Sequence, residues 1–217
     1  GGPMLEIGCG TGRVLLPTLE RGADIQGLDL EPAMLERLRA KAAAKGLAPR
    51  VYAGDMRDFT LPRRYRLVTI PFRAFLHMES TEDQIRALRC IREHLEPGGL
   101  LALNVFYPSQ ETMSRDHGVR KLAMEVDGDG RPVQVWDVSR YDRARQVVSV
   151  ERQVIATNSD ASRSTIEYGF TLRWIYRFEM DLLLRAAGFA IRDILGGFDR
   201  RPLTKDTDEM VVLARRD

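Results

Sequence analysis

The segment that constrains this chain most is Glu6-Ile7-Gly8-Cys9-Gly10-Thr11-Gly12, which follows the apolar pair Met4-Leu5. Glycine at every second position weakens both a strand and a helix, because it adds backbone freedom and no packing side chain. Set between a short apolar strand and a helical pattern, the three glycines predict a tight turn. Its bare backbone faces a ligand, and a helix N-terminus stands behind it. A carboxylate, Asp29, follows 17 positions after Gly12, at the end of Ile25-Gln26-Gly27-Leu28-Asp29. At the tip of a second parallel strand such a group can accept from both hydroxyls of a ribose. The expected ligand is therefore a nucleoside-bearing cofactor.

The rest of the first hundred residues fits that beginning. Strands are predicted at Pro3–Ile7, Ile25–Leu30, Arg50–Ala53, Arg66–Ile70 and Leu100–Phe106, the last after a Pro97-Gly98-Gly99 turn. Helical periodicity lies between them. One helix runs from Gly12 to Arg21, with Pro17 either in its first turn or at a kink. A second runs from Pro32 to Lys45, started by proline and stopped by Gly46. A third runs from Thr81 to Leu95, with Ile85, Leu88, Ile91 and Leu95 in register. Strand–helix alternation of this kind predicts a doubly wound α/β fold of the Rossmann type, mostly parallel, with seven strands.

From Pro108 to Arg177 the period changes to two. Gln134–Tyr141, Val148–Glu151 and Ile166–Tyr168 alternate apolar and polar, and Asp127–Gly130 and Asp142–Arg145 read as turns. An antiparallel β insertion of three or four strands is expected there. The chain divides into residues 1–107, the insertion 108–177, and 178–217, which adds a helix at Phe178–Ala187 and two last strands. The opening directly on a strand suggests that a natural segment ahead of it is missing.

Composition narrows the function. The balance of 33 Lys+Arg against 31 Asp+Glu gives no basic footprint for nucleic acid. No apolar run reaches the length of a membrane span, and no signal-peptide pattern is present. Two cysteines, Cys9 and Cys90, cannot build a disulfide framework, so free thiols in a reducing, cytoplasmic setting are expected. No His, Cys and Asp cluster has ligand spacing, and no metal is expected. Of the three histidines, His77 follows the fourth strand by a few residues and is the acid/base candidate.

The glycine segment resembles the first motif of the class I S-adenosylmethionine-dependent methyltransferases. Gly27-Leu28-Asp29, Ala53-Gly54-Asp55-Met56, Ile70-Pro71-Phe72 and Leu95-Glu96-Pro97-Gly98-Gly99 follow in that family's order. The resemblance covers residues 3–107 and 178–215. It implies S-adenosyl-L-methionine as cofactor. Gly8, Cys9 and Gly10 would approach its methionine part, and Glu6 would receive its ammonium. Asp29 would take the ribose, Leu30 the adenine face, Gly54, Asp55 and Met56 the adenine edge, and Pro71 and Phe72 would lie near the methyl group.

The resemblance further implies that the inserted sheet covers a small-molecule methyl acceptor. Phe75, Tyr107, Tyr168, Arg173, Trp174 and Tyr176 are the candidate substrate contacts, and the exposed sheet is a candidate homodimer surface. Methyl transfer needs in-line alignment above all, with a base such as His77 only where the acceptor must lose a proton. Two alternatives stand beside this reading. One is a nicotinamide-dependent oxidoreductase, disfavoured because a G-x-G-x-x-G pattern begun at Gly8 meets Arg13 at its last position. The other is a non-catalytic S-adenosylmethionine-binding partner protein.

Overall fold

The computed structural model describes residues 2–127, 131–158, 160 and 162–217. It contains β1 (Met4–Ile7), α1 (Leu15–Glu20), β2 (Ile25–Asp29), α2 (Pro32–Ala43), β3 (Arg50–Ala53), β4 (Tyr65–Ile70), α3 (Thr81–His94), β5 (Leu95–Phe106), α4 (Gln110–Asp116), β6 (Arg120–Asp127), β7 (Pro132–Asp142), β8 (Val147–Thr157), β9 (Arg163–Arg173), α5 (Arg177–Ala186), β10 (Phe189–Leu195) and β11 (Glu209–Arg216). A single 3-10 turn, Ala74–His77, lies between β4 and α3. The chain forms two units. One holds everything up to Tyr107 together with Ile175–Asp217, and the other is Pro108–Trp174.

The first unit is a seven-stranded sheet ordered β10-β11-β5-β4-β1-β2-β3. The pairs from β5 to β3 are parallel, while β11 pairs antiparallel with both β5 and β10. This is the doubly wound α/β architecture that the alternation predicts. The central strands are buried on both faces, which explains their near-continuous apolar runs. Leu5, Ile7, Leu28, Val68 and Ile70 are all essentially inaccessible.

The helices follow local rules. The α2 start is set by Pro32, with the Glu31 side chain accepting from Ala33 N. At α3 the Ser80 hydroxyl accepts from Asp83 N. Glu82 and Asp83 occupy its first turn and Arg92 and His94 its last, complementing the helix dipole. The first helix is shorter than its pattern suggests, because Gly12 adopts a left-handed φ of 84° and closes a turn onto Cys9 O. Pro17 consequently falls in the first turn of α1, where a missing N–H costs nothing.

One other sequence expectation needs correction. Pro97-Gly98-Gly99 does not interrupt a strand, since β5 runs through it with a register shift against β4. His94, at the end of α3, is held at both ring nitrogens. Its Nε2 accepts from Leu61 N at 3.2 Å, its Nδ1 meets Cys90 O at 2.8 Å, and its ring lies 4.2 Å from that of Phe59.

The second unit is a four-stranded antiparallel sheet ordered β6-β7-β8-β9. Arg152 and its register partner Asp137 form a two-pronged ion pair across β7 and β8, with both contacts at 2.7 Å. A helix, α4, precedes the sheet where only strands were expected. The Ser109 side chain accepts from Thr112 N, and Glu111 sits in the first turn. Those are ordinary start signals for a helix, set aside by the strand-like spacing around them. Of the expected Asp127–Gly130 turn, Gly128, Asp129 and Gly130 lie outside the described residues.

Candidate functional site

The carboxyl ends of β1, β2, β3 and β4 open into one cleft of ≈ 470 Å³. The sheet order reverses between β1 and β4, and a crevice at such a switch point is where open α/β sheets hold ligands. Gly8 and Gly10 contribute backbone from the loop after β1. Gly8 has φ 71°, and a Cβ there would stand 2.8 Å from Ala74 Cβ. Gly10 has φ 51°, and a Cβ there would meet nothing within 4 Å. The two glycines thus do different work: one permits close packing beneath the loop, the other leaves space open.

Asp29 ties the two strand ends together. Its Oδ2 accepts from Gly10 N at 2.6 Å and its Oδ1 from Glu31 N at 2.9 Å. A carboxylate oxygen has more than one acceptor direction, so both retain capacity toward a ligand. Beneath the loop lies Glu6, 1% exposed, with Oε2 buried and unpartnered. Burial, and then the nearby Asp29 charge, push its carboxyl up to about 8. A buried acid without a partner is costly.

At the β3 end, Gly54, Asp55 and Met56 line the cleft with Leu30 and Met34 from the α2 side. Asp55 is more heavily engaged than its sequence suggests. Arg57 binds it through Nε, Nη2 and the backbone N, and reaches Asp83 at 3.0 Å through Nη1. The guanidinium beside it holds the Asp55 carboxyl below its ordinary value. Glu31, Met34, Arg57, Met78 and Asp83 line the cleft without having been foreseen. Asp83 stands on α3, and only tertiary folding brings it here.

Pro71, Phe72, Ala74 and His77 close the cleft after β4. Phe72 and Arg73 are consecutive non-glycine residues with φ 54° and 65°. Left-handed backbone costs such residues about 1 kcal/mol or more each. The Phe72 ring is 57% exposed and carries the Arg13 guanidinium 4.8 Å from its centroid.

Three expected contacts are displaced. The Cys9 side chain points into the core with Leu15 and Leu38, because a side chain at this position turns away from the cleft toward Gly27. Burial pushes its thiol up to about 12, which makes it inert. Phe75 is fully buried, since the 3-10 turn directs it and Leu76 inward. Trp174 is 1% exposed and packs edge-on to Tyr141, with its backbone N bonded to Gln146 O. In the first unit, Tyr107 and Tyr176 meet edge to face at 5.6 Å. In the second, Tyr168 is half exposed on β9 and Arg173 ends that strand.

The donor set suits S-adenosylmethionine. Asp29, Glu31, Asp55 and Asp83 line the cleft, Glu6 lies under it, and Arg57 is neutralised by two of them. Such surroundings favour a cationic ligand and disfavour a pyrophosphate. The open space over Gly10 and the orphaned Glu6 oxygen are consistent with the same group.

Known proteins agree. Residues 4–99 match a family model described as a methyltransferase domain. The chain is 28% identical over 217 residues to the cypemycin N-terminal methyltransferase of a Streptomyces species, covering all of this chain and 84% of that protein. It is 33% identical over 202 residues to the dTDP-3-amino-3,4,6-trideoxy-alpha-D-glucopyranose N,N-dimethyltransferase of Streptomyces venezuelae, covering 92% of this chain and 80% of that one. Its fold matches an S-adenosylmethionine-bound amino pentose methyltransferase from Micromonospora echinaspora with a TM-score of 0.75 at 26% identity, over 99% of this chain and 83% of that one.

Proposed function

The chain belongs to the class I S-adenosylmethionine-dependent methyltransferases, and we propose that it methylates an amino nitrogen of a small molecule such as an amino sugar. Bound S-adenosylmethionine supplies a methyl group on a sulfonium, open to in-line displacement. The chain's residues supply placement. Asp29, fixed by Gly10 N and Glu31 N, is preset to accept from ribose hydroxyls. Glu6, which holds its proton beneath the loop before the cofactor binds, gives it up to accept from the ligand's ammonium, and Leu30, Met34 and Met56 supply apolar contact for the base. Asp55 accepts at the adenine edge while Arg57 fixes its direction.

At the other end Pro71 and Phe72 exclude water, and His77 takes a proton from the acceptor. An amine attacks only as the free base, so a proton acceptor in the same cavity raises the reactive fraction. The observation that carries this reading is that single cavity. Gly10 and Asp29 line one part of it, and Phe72 and His77 line another. The amine class is supported by relatives named as an N-terminal methyltransferase of cypemycin and as an N,N-dimethyltransferase of a dTDP-linked amino sugar.

We extend the proposal to the antiparallel unit, which selects the acceptor. The 99% coverage of this chain against an amino pentose methyltransferase supports it, since the matched length includes that unit. The test is methyl transfer from labelled S-adenosylmethionine to paired amino and hydroxy sugars. Label on the amino members is expected. Equal label on the hydroxy members would refute the amine reading.

A further inference from the structure

The strained turn after β4 is held by side chains that the reading above does not use. Arg73 donates to Glu209 through Nε at 3.1 Å and through Nη2 at 2.5 Å. Glu209 also accepts from Asn104 Nδ2 at 2.5 Å. The register explains the meeting. Glu209 opposes Phe106 across β11 and β5, and Asn104 is two residues back on the same face. The Arg73 guanidinium lies 5.1 Å from the centre of the Phe106 ring. Glu209 is mostly buried, its side chain 17% exposed, and Asn104 is buried. The Arg73 side chain is itself 41% exposed, so it is the Glu209 and Asn104 end of these contacts that is sheltered from solvent screening.

A left-handed Phe72-Arg73 pair persists only where surrounding structure over-determines it. The Arg73 side chain is anchored on β11, and the residue before it carries the exposed ring at the cleft. We propose that Arg73, Glu209 and Asn104 are a positioning clamp that fixes the Phe72 ring where the acceptor lies against it. The clamp acts on the acceptor and leaves the cofactor end, built from Gly10 and Asp29, unaffected. Arg13, whose guanidinium lies over the ring 4.8 Å from its centroid, completes the restraint. This inference rests on the acceptor end of the proposed function.

Three variants of the full chain test it. Arg73→Gly removes the guanidinium at a position where glycine adopts the left-handed backbone without strain, so folding is not endangered. Glu209→Gln removes the charge and keeps the shape, and Arg73→Lys, which can retain one ionic contact, serves as partial rescue. Three quantities are read: hydrogen exchange across residues 70–78, affinity for S-adenosylhomocysteine, and kcat/KM for the acceptor. Faster exchange is expected, with acceptor kcat/KM down roughly 10- to 100-fold and S-adenosylhomocysteine affinity within about twofold, because small misplacement near reacting atoms is costly. Arg73→Lys should recover part of the loss. Unchanged exchange, unchanged kcat/KM, or a parallel loss of S-adenosylhomocysteine affinity would each overturn the clamp. Should the parent protein methylate a different nucleophile and no amine, the amine reading fails, and the same comparison on that nucleophile still decides the clamp.

Discussion

Replacing Glu6 by Gln probes the least ordinary group in the molecule. The Glu6 carboxyl is 1% exposed with one oxygen unpartnered, and its ionisation is held up to about 8 against an ordinary 4.5. Folded protein thus keeps the proton over a range in which the unfolded chain has lost it. Because the folded state binds more protons, stability falls as pH rises through that window. The stabilisation from this group is complete below pH 4.5 and is lost as pH passes about 8. Each pH unit in between costs about 1.4 kcal/mol, so the ceiling over the whole window is about 5 kcal/mol.

Glutamine has no such titration. Its amide leaves a buried donor that costs roughly 1–3 kcal/mol at every pH, so the variant starts less stable in acid. The stability difference between the two proteins should then move in favour of Glu6→Gln by about 3 kcal/mol from pH 5.5 to pH 8, a sum that allows for tapering near the upper end. Urea unfolding at four or five pH values measures it, with the m-value as a check on two-state behaviour. A difference curve flat to within about 0.5 kcal/mol would refute the argument, because Glu6 would then be ionised throughout.

The remaining predictions follow from the same contacts. Binding of S-adenosylhomocysteine should tighten as pH rises toward about 8 and release protons, since the ligand's ammonium group favours ionised Glu6; calorimetry in buffers of unlike ionisation enthalpy reads the proton count, and zero release contradicts it. Asp29→Asn should weaken that binding roughly 10- to 100-fold through lost charge-assisted bonds, with little change in melting temperature. Gly27→Ala should destabilise by about 1–3 kcal/mol, because its Cβ would stand 2.7 Å from both Cys9 Sγ and Leu15 Cδ1; an unshifted denaturation midpoint would show that the core yields. His77→Ala should lower turnover while cofactor affinity holds, because the group that takes the acceptor's proton is lost; unchanged turnover removes His77 from proton transfer.

What could be read in the sequence divides along the range of the interactions. The cofactor end was legible because its parts are local and obligatory. A glycine turn must follow a strand, and Asp29 must end the next one. Cys9 misled because sequence position does not give side-chain direction. Between two glycines facing the cleft, its side chain turns into the core, against a Gly27 that has no Cβ to oppose it. Phe75 misled for a related reason. Five residues beyond the strand end, a 3-10 turn rotates it inward while leaving His77 at the cleft. The helix α4 was hidden by neighbours of period two, although its Ser109 cap was in view.

The acceptor end was illegible for a different reason. Arg73 reaches Glu209 across 136 positions, and Asn104 reaches it across 105. No local pattern encodes such pairs; only the sheet order does, by placing β11 beside β5 and β5 beside β4. That asymmetry follows from what each end must do. A cofactor of fixed shape can be held by one short loop and one strand tip, whose chemistry the backbone dictates. An acceptor's position has to be set independently of that loop, so its supports come from elements far along the chain and joined only by the fold. Substitutions near Gly10 and Asp29 should therefore change cofactor affinity, whereas changes at Arg73 or Glu209 should alter acceptor kinetics alone.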